Sequence, residues 1–176
     1  RMTPCPIRRG TFVVLPGRSE FLEKYDETIG ELTQRGYDVY SFDWRGQGLS
    51  SRLLVNRFKG HVRSYEDYLS DLFQFLRLVV TPVAHPPFYL LAHSMGAHIG
   101  LRCMHDNGVI FDKAVLTAPM IGLDMMPMIK GVLELYTKLM VRFGQGHRYM
   151  PGNKDYSPEN RPFEKNRLTS DRNRFE

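Results

Sequence analysis

Ala92-His93-Ser94-Met95-Gly96 sets one serine hydroxyl between two small residues, each two positions away. That spacing is a variant of the G-x-S-x-G nucleophile elbow, with alanine in the first small position. A serine held this way can attack an acyl carbon, given a base for its proton and donors for the oxyanion. The spacing has a steric cause. At so sharp a bend the serine backbone is strained, and only small neighbours let strand and helix approach. The hydroxyl then stands at the strand's end, where a helix N-terminus favours developing negative charge. The same five residues also suit a plain strand-to-helix turn with an N-capping serine. The elements around them must decide.

Pro87-Phe88-Tyr89-Leu90-Leu91 reads as a buried strand entering the bend, and Ala97, Ile99, Leu101, Cys103 and Met104 continue as a helix. Upstream, residues 10–15 form a β-branched run bounded by glycine and proline, a first strand. Pro16-Gly17-Arg18-Ser19 turns the chain. Phe21, Tyr25, Ile29 and Leu32 then recur at helical spacing until Gly36. Residues 37–42 read as a second strand, followed by the glycine-rich loop Asp43-Trp44-Arg45-Gly46-Gln47-Gly48-Leu49-Ser50. Ser64-Tyr65-Glu66-Asp67 resembles a capping box. The helix it opens carries Tyr65, Tyr68, Leu69, Leu72, Phe73, Leu76 and Val79 on one face and stops before Pro82. A fourth strand spans 111–119. Strands alternating with amphipathic helices predict an α/β fold, a parallel sheet with helices on both faces.

Beyond Pro119 the pattern changes, dividing the chain into a core part, 1–119, and a second region, 120–176. Met120, Met125, Met126, Met128 and Met140 lie among aliphatic residues, and a helix is expected from about 128 to 143. It is either an ordinary core helix or a cap over an acyl-chain pocket, and its place directly after a sheet strand favours the cap. Residues 144–176 read as a polar, irregular excursion.

At 176 residues, 42% hydrophobic and 24% charged, the chain has the make-up of a globular protein able to bury one core. No apolar run reaches the ~20 residues of a membrane span. No signal peptide is visible behind Arg1-Met2. Cys5 and Cys103 lack zinc-site spacing, Cys103 reads as a small buried hydrophobe, and the reading is cytoplasmic. The net charge of +5 is scattered, with no nucleic-acid motif. It fits a solvated basic surface, with peripheral attraction to anionic lipid as the alternative. No metal or organic cofactor is implied.

Four segments together carry a resemblance: Val13-Val14-Leu15-Pro16-Gly17-Arg18, residues 40–50 with Asp43-Trp44-Arg45-Gly46-Gln47-Gly48, Gly60-His61-Val62, and the elbow itself. In this order they resemble the bacterial lysophospholipase and monoacylglycerol lipase group of the α/β-hydrolase superfamily, which is similar to the serine aminopeptidase-like hydrolases. Residues 166–175 also look like that group's cap. Pro16 stands where many relatives carry histidine, and Ala92 replaces the first elbow glycine. The resemblance implies that Ser94 is the nucleophile and that the backbone amides of Arg18 and Met95 form the oxyanion hole. Gly17, Ala92 and Gly96 would support the turns. Asp43, Arg45, Gly46 and Gly48 would shape the sheet edge without doing chemistry; an Asp43–Arg45 acid–base pair is the poorer idea.

The group's acid and histidine follow the cap, and nothing here fits them. His98 and His105 share the serine's own helix, His147 ends the expected cap helix, and His93 should point away and bond locally. His61 and His85 lie in loops. The expectation is therefore the N-terminal part of a longer hydrolase that cleaves carboxylic esters of single-acyl lipids, its acid and base beyond Glu176. A catalytically silent scaffold of the same fold, or a peptidase or thioesterase on it, are the alternatives.

Overall fold

β1 (Thr11–Leu15) owes its place at the centre of the sheet to Val13, Val14 and Leu15, three successive residues with no exposed surface. Neighbouring strand residues face opposite ways, so both faces of β1 are covered. In the computed structural model, which describes residues 8–122, 125–155, 157, 163–165 and 169–172, β1 pairs in parallel with β2 (Asp38–Ser41) and β3 (Phe88–His93). β3 pairs in parallel with β4 (Lys113–Thr117), giving the order β2-β1-β3-β4. Cys5 and most of residues 166–175 lie outside the described residues.

Each crossover carries a helix, as parallel pairing demands. A 3-10 turn, Leu22–Tyr25, leads into α1 (Asp26–Gln34) between β1 and β2. α2 (Glu66–Phe75) precedes β3, and α3 (Ser94–Asn107) joins β3 to β4. The predicted α/β architecture is present. β1, β2 and β4 are shorter than their sequence patterns by a residue or two, whereas β3 runs two residues further than expected, to His93.

The core lies on the face of Val13, Leu15, Leu90 and Ala92, where Ile99 and Cys103 of α3 meet Tyr68 and Leu72 of α2. Trp44, from the loop after β2, closes its upper end against Phe42 and Tyr68. Burial pushes the Cys103 thiol pKa up, so the group packs as the neutral hydrophobe expected of it.

Two expectations change. The strands are not uniformly buried: β2 is half-buried throughout and β4 is exposed at four of its five residues. They are the two edges of this sheet, where an apolar strand finds covering on fewer sides. The apolar face of the helix before Pro82 also shifts. α2 ends in a π turn, Leu76–Val80, with Thr81 N–H donating to the Leu76 carbonyl five residues back. The wider turn rotates the chain, so that Val80 is buried while Val79 stays exposed; Phe73, ahead of that turn, is exposed as well.

α4 (Pro127–Arg142) forms where a helix was expected, but none of its residues is buried. Met128, Val132 and Leu135 are each at least 60% exposed. It is therefore not a core helix of this chain. No helix among the described residues is long and apolar enough to cross a membrane.

Gly96 and Gly100, one turn apart, bring α3 down onto the sheet. A Cβ on Gly96 would sit 2.5 Å from the Leu15 carbonyl oxygen and inside contact distance of that of Pro16. At Gly100 the close neighbour is the Leu90 Cδ2 atom, 2.9 Å away and at the end of a flexible side chain. Backbone cannot yield as a leucine can. Urea unfolding should show Gly96→Ala losing about 2–3 kcal/mol, whereas Gly100→Ala stays within about 1 kcal/mol because better helix propensity offsets a small repacking.

Candidate active site

The elbow is built from its neighbours. Ala92 pairs with Leu15 across the parallel ladder and is buried, which brings the end of β3 level with the end of β1. β3 stops at His93 and α3 starts at Ser94, with nothing between. So abrupt a change forces Ser94 to φ +50°, a left-handed conformation rare for a residue with a side chain. Ser94 stays half-buried, at the crest between strand and helix. Behind it, the Met95 amide is one of the first-turn N–H groups that no helical carbonyl can reach. A 14-residue helix aims its positive end at this spot.

The strand on the far side is tied to the same crest. Met120 N–H donates to the Ser94 carbonyl at 3.1 Å, and His98 Nδ1 lies 2.6 Å from the Met120 carbonyl. His93 Nδ1 lies 2.9 Å from Thr117 Oγ1, at the end of β4, the local bond expected of a side chain turned from the serine's path.

The turn after β1 forms the facing wall, and side chains hold it at Pro16, Gly17 and Ser19. Trp44 Nε1 donates to the Pro16 carbonyl at 2.8 Å. Gly17 N–H donates to Glu20 Oε2 at 2.5 Å, and Ser19 N–H donates to Gln47 Oε1. Leu22 N–H donates to Asp43 Oδ1 at 2.9 Å. Pro16 has no N–H. Among the described residues this leaves the Arg18 amide with no hydrogen-bond partner, on an exposed residue of the turn.

Asp43 and Arg45 do not pair with each other. Asp43 spans two loops, its second oxygen accepting from Leu49 N–H at 2.8 Å, and a Cβ on Gly48 would overlap the carboxylate. Arg45 makes a bidentate pair with Asp71 of α2, at 2.6 and 2.5 Å, and lies 3.4 Å from Asp67. Arg52 donates to the carbonyls of Gln47, Gly48 and Ser50, closing the glycine-rich loop on itself. These residues brace the site from outside.

Glu20 is the residue that sequence reading passed over. In a polar stretch after a turn it resembles any solvated acid, yet its side chain is only 9% exposed. Its carboxylate accepts from Gly17 N–H, Lys24 Nζ and Tyr25 Oη. Burial alone would raise its pKa, but these bonds outweigh it and hold the carboxyl below its ordinary value of 4.5. The i, i+3 spacing from Gly17 was the available signal. Gln47, buried at 6% exposure, carried none beyond its glycine neighbours.

The six histidines are all among the described residues, and none of them hydrogen-bonds to the Ser94 side chain. His85 meets Arg8 and Asp38, and His105 meets Asp106. His61 and His147 are in loops.

With this geometry in view, the family model described as "Serine aminopeptidase, S33" matches residues 6–174. Lysophospholipase L2 of Escherichia coli is 41% identical over 111 residues, which are 63% of this chain and 33% of that protein. A Haemophilus influenzae protein named "Probable lysophospholipase L2" is 34% identical over 148 residues, 84% of this chain and 46% of its own. The chain thus spans between a third and about half the length of these curated relatives. A soluble variant of monoglyceride lipase from Saccharomyces cerevisiae superposes with a TM-score of 0.63 at 20% identity, covering 85% of this chain and 48% of its own. At that identity the likeness speaks for the fold.

Glu20 also sets a pH dependence. A carboxyl with a depressed folded pKa stabilises fully above its unfolded value and loses that contribution as pH falls through the folded one. Glu20→Gln should cost about 1–2 kcal/mol at pH 7. The gap from the parent protein should shrink below about pH 4.5, read by denaturant unfolding at several pH values.

Proposed function

The chain belongs to the serine aminopeptidase S33 family of hydrolases, and from that premise we propose that Ser94 is the nucleophile of an ester hydrolase acting on single-acyl lipids. The substrate class is a lysophospholipid or a monoacylglycerol. The observation that carries the reading is Ser94 at φ +50° on the bend between β3 and α3. Strain at a half-buried serine, beside a helix N-terminus and an unpartnered turn amide, is an arrangement suited to acyl transfer.

In the proposed reaction Ser94 Oγ attacks the ester carbonyl carbon while a base takes its proton. The carbonyl oxygen becomes an oxyanion, and the amides of Arg18 and Met95 donate to it. Collapse expels the alcohol, which leaves with the proton, and the acyl group remains on Ser94. Water then repeats the attack and releases the fatty acid. Gly17, Ala92 and Gly96 keep the two walls close enough for both amides to face one oxygen.

The base and the acid that orients it are assigned to the part of the full-length protein that follows residue 176. None of the six histidines here has Ser94 as its hydrogen-bond partner, and the relatives extend well beyond this chain. Region 120–176 is read as the beginning of a cap. Exposed Met126, Met128, Val132 and Leu135 offer the adaptable apolar surface that an acyl chain, or the edge of a lipid aggregate, would meet.

A fluorophosphonate probe on the full-length protein should label Ser94, and Ser94→Ala should abolish both labelling and hydrolysis of a lysophospholipid or monoacylglycerol. Residues 1–176 alone should turn over such esters at least about 10³-fold more slowly. Absence of labelling in the folded full-length protein would point to a silent scaffold. Preference for aminoacyl amides or thioesters in a substrate panel would move the assignment to a peptidase or thioesterase.

A further inference from the structure

We propose that Glu20 is a positioning residue for the Ser94 reaction: by holding the turn after β1 it makes Arg18 the amide that this turn presents to the substrate. The inference rests on the serine-hydrolase reading above and names a group which that reading does not use.

Three observations converge on Glu20. First, its carboxylate binds the Gly17 amide, the donor next to Arg18, at 2.5 Å. Gly17 is buried, and a Cβ there would lie 2.8 Å from Glu20 Oε2 and 3.1 Å from His93 Cδ2. Glycine and glutamate are thus a fitted pair. Glycine lets the carboxylate approach, and the carboxylate removes the freedom to rotate that glycine brings. Second, the Ser19 amide is independently engaged by Gln47 Oε1, so the residues before and after Arg18 are each held through their own amide by a different side chain. Only the Arg18 N–H remains to donate.

Third, Glu20 touches the other wall. Its Oε1 lies 4.0 Å from His93 Nε2, on the residue immediately before Ser94. One side chain therefore spans the turn that offers the oxyanion donor and the strand end that offers the nucleophile. A carboxylate near a developing oxyanion would oppose it if left bare. Lys24 supplies a compensating positive charge and Tyr25 donates at 2.6 Å, so the group braces the turn without projecting a full negative charge.

Without the carboxylate, the Gly17 peptide is released and the Arg18 N–H loses its fixed direction. The loss falls on the transition state, because the oxyanion exists only there. The test uses the full-length protein with an ester substrate, turnover being normalised to the serine fraction titrated by fluorophosphonate. Glu20→Ala should lower kcat per labelled serine by about 10–100-fold with KM within about twofold. Binding of a boronic acid, which forms a tetrahedral adduct on the serine, should weaken by a similar factor. Glu20→Gln, the isosteric variant, should fall between Glu20→Ala and the parent and serves alone if Glu20→Ala does not fold. Turnover per labelled serine within about twofold of the parent in the folded variants overturns the proposal. So does a loss confined to KM, or one matched by the smaller labelled fraction, since either marks a merely structural role. If the parent protein is not labelled at Ser94, the serine-hydrolase reading falls and this inference with it. Labelled parent enzyme with indifferent Glu20 variants refutes the positioning role alone.

Discussion

The first turn of α3 lies against the carbonyl end of β1, with no side chain between them at Gly96. That contact determines where everything else at the site can be. It draws the helix N-terminus over the edge of the sheet and compresses the passage from β3 into α3 to a single peptide. The resulting strain falls on Ser94, the residue with φ +50°. Such strain, of order 1–3 kcal/mol, persists only where the surroundings over-determine it. Here the surroundings are the Leu15–Ala92 ladder pair, the buried Met95 and Ala97, and the Met120 amide on the Ser94 carbonyl.

Two loops at the same sheet edge are lashed together by side chains. Trp44 and Gln47, from the loop after β2, grip the turn after β1, and Asp43 reaches back to Leu22. Arg45 anchors that loop to α2 through Asp71. The bonds to Pro16 and Gly17, both buried, engage backbone groups that the turn would otherwise leave unsatisfied, a cost of about 1–3 kcal/mol each, while the bond to Ser19 fixes an exposed amide. Satisfying the neighbours and leaving one amide open is how a rigid scaffold can offer a donor without reorganising at the moment of reaction.

The other end of the chain is organised differently. β4 is an exposed edge and α4 an amphipathic helix with no buried residue. Both belong to a chain that spans between a third and about half the length of the curated relatives named above. The closed part of the structure is therefore the part that carries the elbow and the turn. The Met-rich α4 adds exposed apolar surface.

Much of this was legible in order along the chain. Runs such as Val13-Val14-Leu15 and the small residues at 92 and 96 encode a buried strand and a tight bend locally, because strand burial and steric clearance depend on residue type and spacing. The parallel sheet, its crossover helices and the crest under Ser94 followed from those patterns. The sheet edges, the π turn that exchanges Val79 for Val80, and the exposure of α4 did not, since each depends on what lies alongside rather than on the residues themselves. Glu20 and Gln47 are the sharpest case. As sequence they are two polar residues 27 positions apart near turns. Only the parallel pairing of β1 with β2 brings their loops to one edge, where burial turns an ordinary acid and an ordinary amide into the acceptors that hold a turn.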